Sequence, residues 1–367
     1  LGTDVSEVEM RRILLALGFA LDGDTIIVPS WRGDVEHYSD IAEEIARFYG
    51  YNNIPCTLMR GQTTSGGYTD AQKAERSIGV MARALGYSEI ITYSFISPSY
   101  YDKIRLPADS PLRNSMKILN PLGEDTSIMR TTILPSMLEI LTRNYNYRNK
   151  AVRLYEIGKV YFARPDGMAD EPKLLCLGGY GGMDFFQLKG AVERIIAGLR
   201  ISDVTFESES ENPSYHPGRC ARVYAGGKLL GVLGQIHPLA AANYGVDAEL
   251  YTAELQLDGM LAARGVTPVY TPLPRFPAVT RDVAIVCSAD IPVAKLSACI
   301  LAAGGQYLKG CELFDVYTGA PIPAGYKSVA FSLTLRADDQ TLTDDHAEET
   351  MQSVLKALKE TFNATIR

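Results

Sequence analysis

The chain has 367 residues, 46% apolar and 22% charged, with a net charge of -7 and a pI of 5.3. These values fit a globular protein with room for two or three cores, and they exclude a bulk basic field for nucleic acid, so any RNA contact has to be local. No apolar run approaches bilayer length, the first residues do not read as a signal peptide, and six scattered cysteines contain no Cys-x-x-Cys pair. Zinc and a disulfide framework are thereby disfavoured, and a reducing cytosol suits the composition.

In chain order, the spacing of Val8, Ile13, Leu14 and Leu17 predicts a helix over 6–17, with Thr3 or Ser6 as cap and Gly18 as stop. A short strand follows at 26–28. A second helix is expected over 35–50, because Ile41, Ile45, Phe48 and Tyr49 share one face and Gly50 suits a left-handed terminus. Asp40, Glu43 and Glu44 then neighbour one another on a second stripe, with Asp34 just before the helix. Two readings stand side by side: a solvated acidic face with Arg47 pairing to Glu43 or Glu44, and a site for a hard cation that takes oxygen ligands. The module is winged-helix-like in its order of elements, but it lacks a basic recognition face.

Polar, glycine-rich residues 57–67 mark a boundary. A helix is expected over 69–85, a strand over 89–95, and a further helix carrying Leu138, Leu141 and Tyr145 on one face. Residues 153–161 read as a strand holding Arg153-x-x-Glu156, a pattern common enough to be an internal ion pair. His216 and His237 each stand beside proline, where a histidine serves as a structural hydrogen-bonding group; no serine or cysteine nucleophile motif accompanies them.

Four prolines (Pro268, Pro272, Pro274, Pro277) mark a linker over 265–277. Beyond it the order strand, helix, strand, strand, helix, strand, with Thr343 capping the last helix, is that of a ferredoxin-like split βαβ domain.

Several of these segments carry a resemblance. Val28-Pro29-Ser30-Trp31-Arg32, Asp34, Asp40-x-x-Glu43-Glu44-x-Ala46-Arg47 and Tyr49-Gly50-Tyr51 resemble the phenylalanyl-tRNA synthetase β-subunit family. So do Leu119-Asn120-Pro121-Leu122, Met129-Arg130-Thr131, Phe276-Pro277 with Arg281-Asp282, and Thr341-Leu342-Thr343-Asp344. The resemblance implies an α+β chain of three parts: a winged-helix-like module over 1–58, a class II synthetase-like antiparallel sheet module over 59–272, and a ferredoxin-like anticodon-binding domain over 273–367. It implies that Asp34, Asp40, Glu43 and Glu44 hold a Mg2+ shared with the α subunit. It also implies an (αβ)2 heterotetramer in the cytoplasm that joins phenylalanine to its tRNA using ATP, with catalysis in α.

Arg153-x-x-Glu156 resembles motif 2 of class II synthetases, but no Gly-x-Gly-x-x-x-Arg helix entry follows: Gly231-Val232-Leu233-Gly234 and Gly304-Gly305 lack the arginine. No catalytic residue is therefore expected. For tRNA contact the candidates are Arg275, Arg281, Lys327 and Arg336, since exposed cations and aromatics on a sheet suit phosphates and unpaired bases. Gln340 and His346 depart from the family pattern, which has arginine and an acidic residue there. The chain opens at Leu1 and reads as the C-terminal part of a longer subunit. The rival readings are a metal-dependent hydrolase built on the acidic residues and a winged-helix DNA-binding regulator.

Overall fold

A computed structural model describes all 367 residues, which divide into two compact units, Leu1–Arg264 and Gly265–Arg367. No helix is long and apolar enough to cross a membrane.

The first unit opens with α1 (Glu7–Ala16), whose cap is Ser6: its hydroxyl accepts the Glu9 N–H at 3.3 Å. The Glu9 side chain does not complete a capping box, because it is held by Arg12. Where one strand was expected there is a hairpin, β1 (Ala20–Asp22) against β2 (Thr25–Ile27), turning at Gly23 with positive φ. Next, α2 (Tyr38–Tyr49) starts three residues later than its periodicity predicts, because residues up to His37 form its cap. Ile13, Leu14, Phe19, Val35 and Ile45 close a small core between the helices and the hairpin.

The larger part of this unit begins with α3 (Asp70–Ala84), capped by Thr69 and Gln72 in a reciprocal box. Short elements follow: β3 (Ser88–Glu89), β4 (Phe95–Ile96), α4 (Ser99–Lys103) and β5 (Ile128–Met129). Then come α5 (Leu134–Asn146), β6 (Val152–Lys159), the small pair β7 (Phe162–Ala163) and β8 (Ala169–Asp170), and β9 (Lys173–Tyr180). The remainder is α6 (Phe185–Gly198), β10 (Val204–Ser208), β11 (Tyr215–Ala225), β12 (Lys228–Ile236), α7 (Pro238–Asn243), β13 (Tyr251–Gln256) and α8 (Leu257–Ala262).

Seven of these strands form one sheet in the order β10-β11-β12-β13-β9-β6-β3. Every neighbouring pair is antiparallel except β3 and β6, which are parallel. Both faces are covered. Ile78 of α3, Leu188 and Ile195 of α6 and Met260 of α8 pack on one side. Met137, Leu138 and Leu141 of α5 pack on the other, against Cys176 and Ile236. A strand buried on both faces loses its alternation, and β9 reads as a continuous apolar run for that reason. Gly178 lets α5 approach: a Cβ there would lie 2.6 Å from the Met137 sulfur.

The strand expected over 89–95 is broken. Ser88 and Glu89 pair with β6, and the Ile90 N–H adds a bond to the Tyr155 carbonyl, while Phe95 and Ile96 pair with β5 in a separate two-stranded sheet. Between the two pieces the Thr92 hydroxyl bonds Arg130 and Glu156, and Ile91 and Tyr93 on either side are exposed.

The second unit comprises β14 (Val279–Ser288), α9 (Val293–Ala303), β15 (Leu308–Tyr317), β16 (Tyr326–Leu335), α10 (Asp344–Phe362) and β17 (Thr365–Ile366). Its antiparallel sheet has the order β15-β16-β14-β17, the ferredoxin-like arrangement. One face supplies Val283, Ile285, Val329, Phe331 and Leu333 to a core shared with Leu296, Ile300, Val354 and Leu358 of the helices. Thr343 caps α10, and Asn363 ends it in the left-handed conformation.

Candidate functional site

The acidic residues of the first module are positioned by the entry to α2. Arg32 reaches Asp34 through two parallel bonds, Nε to Oδ1 at 2.9 Å and Nη2 to Oδ2 at 2.6 Å. The same Nη2 donates to Glu44 Oε1 at 3.0 Å. Arg47, one turn along the helix, donates to Glu44 Oε2 at 2.6 Å. Glu44 is thus a buried carboxylate gripped from two sides, and its pKa falls to about 2 through Arg32 first and Arg47 second. Asp34, more exposed, is also held at about 2 by Arg32. Asp40 turns back to accept the backbone N–H groups of His37 (2.8 Å) and Glu36 (2.9 Å), which lower its pKa and cap the helix. Glu43 is exposed and unbonded.

The four residues therefore stand within one stretch without converging. Oxygen donors fit the chemistry of a hard cation. In this chain, however, Arg32 lies between the two carboxylates that do meet, Asp40 serves its helix, and no three acidic groups are gathered around a common point. As arranged, the set is not a cation cage, and no chemical step is derived through a metal here. Arg47 pairs with Glu44, as the helical spacing predicts, whereas the part played by Arg32 depends on the fold of the turn before α2.

In the central sheet, Glu156 is buried and ion-paired, although not to Arg153. Its partner is Arg130, Nη2 to Oε1 at 2.8 Å, with both side chains about 3% exposed or less. The other nitrogens of Arg130 donate to the Lys159 carbonyl (3.0 Å) and Thr92 Oγ1 (2.7 Å), and Thr92 in turn donates to Glu156 Oε2. Gly158 keeps the space beside this pair free of a side chain. Nearby, buried Glu254 accepts from Thr132 Oγ1 (2.8 Å) and the Ile133 N–H (2.6 Å) at the start of α5; burial pushes its pKa up. The donors and acceptors of the Arg130 network are satisfied by one another, so the cluster is structural.

The two histidines behave as structural acceptors. His216 Nδ1 accepts from Gly218 N–H at 3.0 Å, and His237 Nδ1 accepts from Leu239 N–H at 3.1 Å as the cap of α7.

In the second unit the four cations are dispersed. Arg275 is exposed in the segment before β14. Arg281 is half-exposed and donates to Asp344 at the start of α10, 3.0 Å away. Arg336 is half-buried, and its Nε is buried without a partner. Lys327 corrects the expectation of a surface cation: it is 9% exposed, and its ammonium donates to the Ala289 and Ile291 carbonyls at 3.0 and 2.5 Å. It pins the turn between β14 and α9. On the outer side of the sheet, Phe314, Tyr317 and Tyr326 are exposed, with Arg367 over the Tyr317 ring at 5.6 Å.

Three family models match successive stretches: tRNA synthetase B5 domain over residues 1–51, phenylalanyl tRNA synthetase beta chain CLM domain over 54–257, and ferredoxin-fold anticodon binding domain over 274–367. The phenylalanine–tRNA ligase beta subunit of Clostridium tetani is 42% identical over 373 residues, covering 100% of this chain and 47% of that protein. Its counterparts in Clostridium acetobutylicum and Moorella thermoacetica are each 41% identical, again over 100% of this chain and 47% of theirs. The chain thus spans about half the length of the curated relatives it matches. By these matches, the chain belongs to the phenylalanyl-tRNA synthetase beta chain family.

Proposed function

We propose that this chain is the non-catalytic part of a phenylalanine–tRNA ligase, giving assembly with an α subunit through its first two modules and tRNA anticodon contact through its ferredoxin-like domain. The observation that carries the reading is the run of three family matches in order along the whole chain. Its absence of catalytic chemistry is supported by the central sheet, where α5 packs over one face and Arg130 has taken the Glu156 carboxylate. A nucleotide phosphate would find no free cation in that network. Module boundaries near 58 and 272, a cytoplasmic (αβ)2 heterotetramer, and use of ATP by the partner belong to the same proposal.

For Mg2+, the residues this chain would contribute are Asp34, Asp40, Glu43 and Glu44. Support comes from their oxygen-donor chemistry within one stretch; Arg32, bonded to Asp34 and Glu44, is the group a cation would have to displace. For RNA, Arg275, Arg281 and Arg336 are the side chains left within reach of solvent, with the exposed aromatics as stacking surfaces.

Two assays test the whole. The intact chain alone should give no ATP–pyrophosphate exchange, and co-expression with an α subunit should restore it in a stable complex. Binding of a phenylalanine tRNA transcript should weaken when its anticodon is changed; equal binding of both transcripts would remove the anticodon assignment. A hydrolase built on the acidic residues and a DNA-binding regulator gain no support from the structure: the carboxylates are tied to arginines and backbone, and the first module is acidic around α2.

A further inference from the structure

The end of α5 carries a feature that the proposed anticodon contact does not use. Between Glu139 and Glu156 the chain has four cations and no acid: Arg143, Arg148, Lys150 and Arg153. They are interleaved with Tyr145, Tyr147, Asn144, Asn146 and Asn149. In a chain of net charge -7 this is a local reversal of sign.

The structure exposes the run. Arg143, Arg148 and Lys150 are solvent-exposed, and none has an ion pair or hydrogen bond from its side chain. Tyr147 is 75% exposed. Two surface hollows flank this helix end. One, of about 450 Å³, is bordered by Arg148, Asn149 and Lys150; the other, of about 440 Å³, by Arg143, Asn146 and Tyr147.

Acidic groups also border the hollows and have to be counted. Glu249 is already neutralised by Arg219 (2.9 Å) and bonded by the Tyr251 hydroxyl (2.7 Å). Glu139 lies near Tyr100, whose pKa is raised by burial first and by this carboxylate second. Two unpaired cations, Arg148 and Lys150, therefore border one hollow with Glu249, and a third, Arg143, borders the other with Glu139.

A single cation at a helix C-terminus is explained by the helix dipole. Three cations on two sides of one helix end, with an unpartnered tyrosine between, match a longer ligand with a repeating negative charge and flat groups to stack. We propose that the last turn of α5 and the residues just after it form a second RNA-contact surface, in which Arg143, Arg148 and Lys150 hold successive phosphates and Tyr147 stacks on a base. It goes beyond the anticodon contact, lies on the other unit, and rests on the reading of tRNA as the partner. A protein partner is the competing occupant, and the test separates the two.

The experiment uses the intact chain and fluorescence anisotropy with two RNAs, a phenylalanine tRNA transcript and the same transcript with its anticodon loop replaced, titrated at several salt concentrations. The triple variant Arg143→Gln, Arg148→Gln, Lys150→Gln should weaken binding of both RNAs at least about tenfold and reduce the slope of log affinity against log salt by about 2 to 3. Tyr147→Ala should weaken binding about tenfold with the slope unchanged. Should the triple variant fold poorly by circular dichroism, Lys150→Glu alone, at an exposed position, should still lower the slope by about 1 or more. Unchanged affinity and slope would overturn the proposal, as would unchanged RNA binding accompanied by loss of α-subunit co-purification. Loss of anticodon discrimination alone would touch only the earlier reading.

Discussion

Arg130 and Glu156 form an ion pair 2.8 Å apart in which both partners are almost wholly removed from water. The pair bridges the loop before α5 and strand β6, with Thr92 bonded to both members. Breaking a buried pair strands the remaining charge, which costs about 3–5 kcal/mol. Glu156→Gln and Arg130→Met are each expected to lower stability by that order, read by urea denaturation with far-UV circular dichroism. The double variant should lose less than the sum, because no charge is left unpaired. Additive losses would show that the two side chains act separately.

How much of this was legible beforehand differs from residue to residue. Local signals carried the helices: Ser6 caps α1 as its sequence suggests, although Glu9 goes to Arg12 instead of back to the cap, and α2 follows its apolar periodicity. Long-range pairings were not legible, since nothing in the sequence joins Arg130 to Glu156, and Arg153-x-x-Glu156 offered a nearer but wrong partner. Lys327 was legible and misread. It shares strand parity with Val329, Phe331 and Leu333, the residues that face the helices, so its position points inward. Arg281 has the parity of Val283 and Ile285, which explains why it meets Asp344 of α10 rather than the open face.

The gap above Gly178 makes a second prediction. A methyl group there would sit 2.6 Å from the Met137 sulfur and against its Cγ, forcing α5 away from β9. Gly178→Ala is expected to destabilise by about 1–3 kcal/mol. In a Met137→Ala background, itself destabilised by the lost core side chain, the further cost of Gly178→Ala should be smaller, since the atoms in conflict are gone. Equal melting temperatures for wild type and Gly178→Ala would show that the helix yields without cost.

The first module should respond to acid. Glu44 and Asp34 have folded pKa values of about 2, below their ordinary 4.5 and 3.8, so the unfolded chain binds protons first as pH falls. Their contribution is complete above the ordinary values and is lost between about pH 4.5 and 2. Trp31, the only tryptophan, lies in this module against Gly18 and reports on it by fluorescence. Its transition should move toward neutral pH in Arg32→Gln, which frees Asp34 and leaves Glu44 held by Arg47 alone. An unmoved transition would mean that the arginine contacts carry no stability.

The same arginine gives the sharpest test of the cation reading. With Arg32 in place, Asp34 and Glu44 are already neutralised, and Mg2+ has to compete with a guanidinium bonded at 2.6 and 3.0 Å. Removing the guanidinium leaves Asp34 without a cation and Glu44 held by Arg47 alone, beside Asp40 and Glu43, an excess of negative charge that a bound cation would relieve. A ligand that binds only the folded state raises the melting temperature with its concentration. Wild type alone should therefore show little shift between chelator and millimolar Mg2+, whereas Arg32→Gln should gain a few degrees. Adding Glu43→Gln to that variant should reduce the gain if the exposed carboxylate joins the ligand set. No Mg2+-dependent shift in Arg32→Gln would mean that these carboxylates serve the fold of α2 and its neighbours and nothing more.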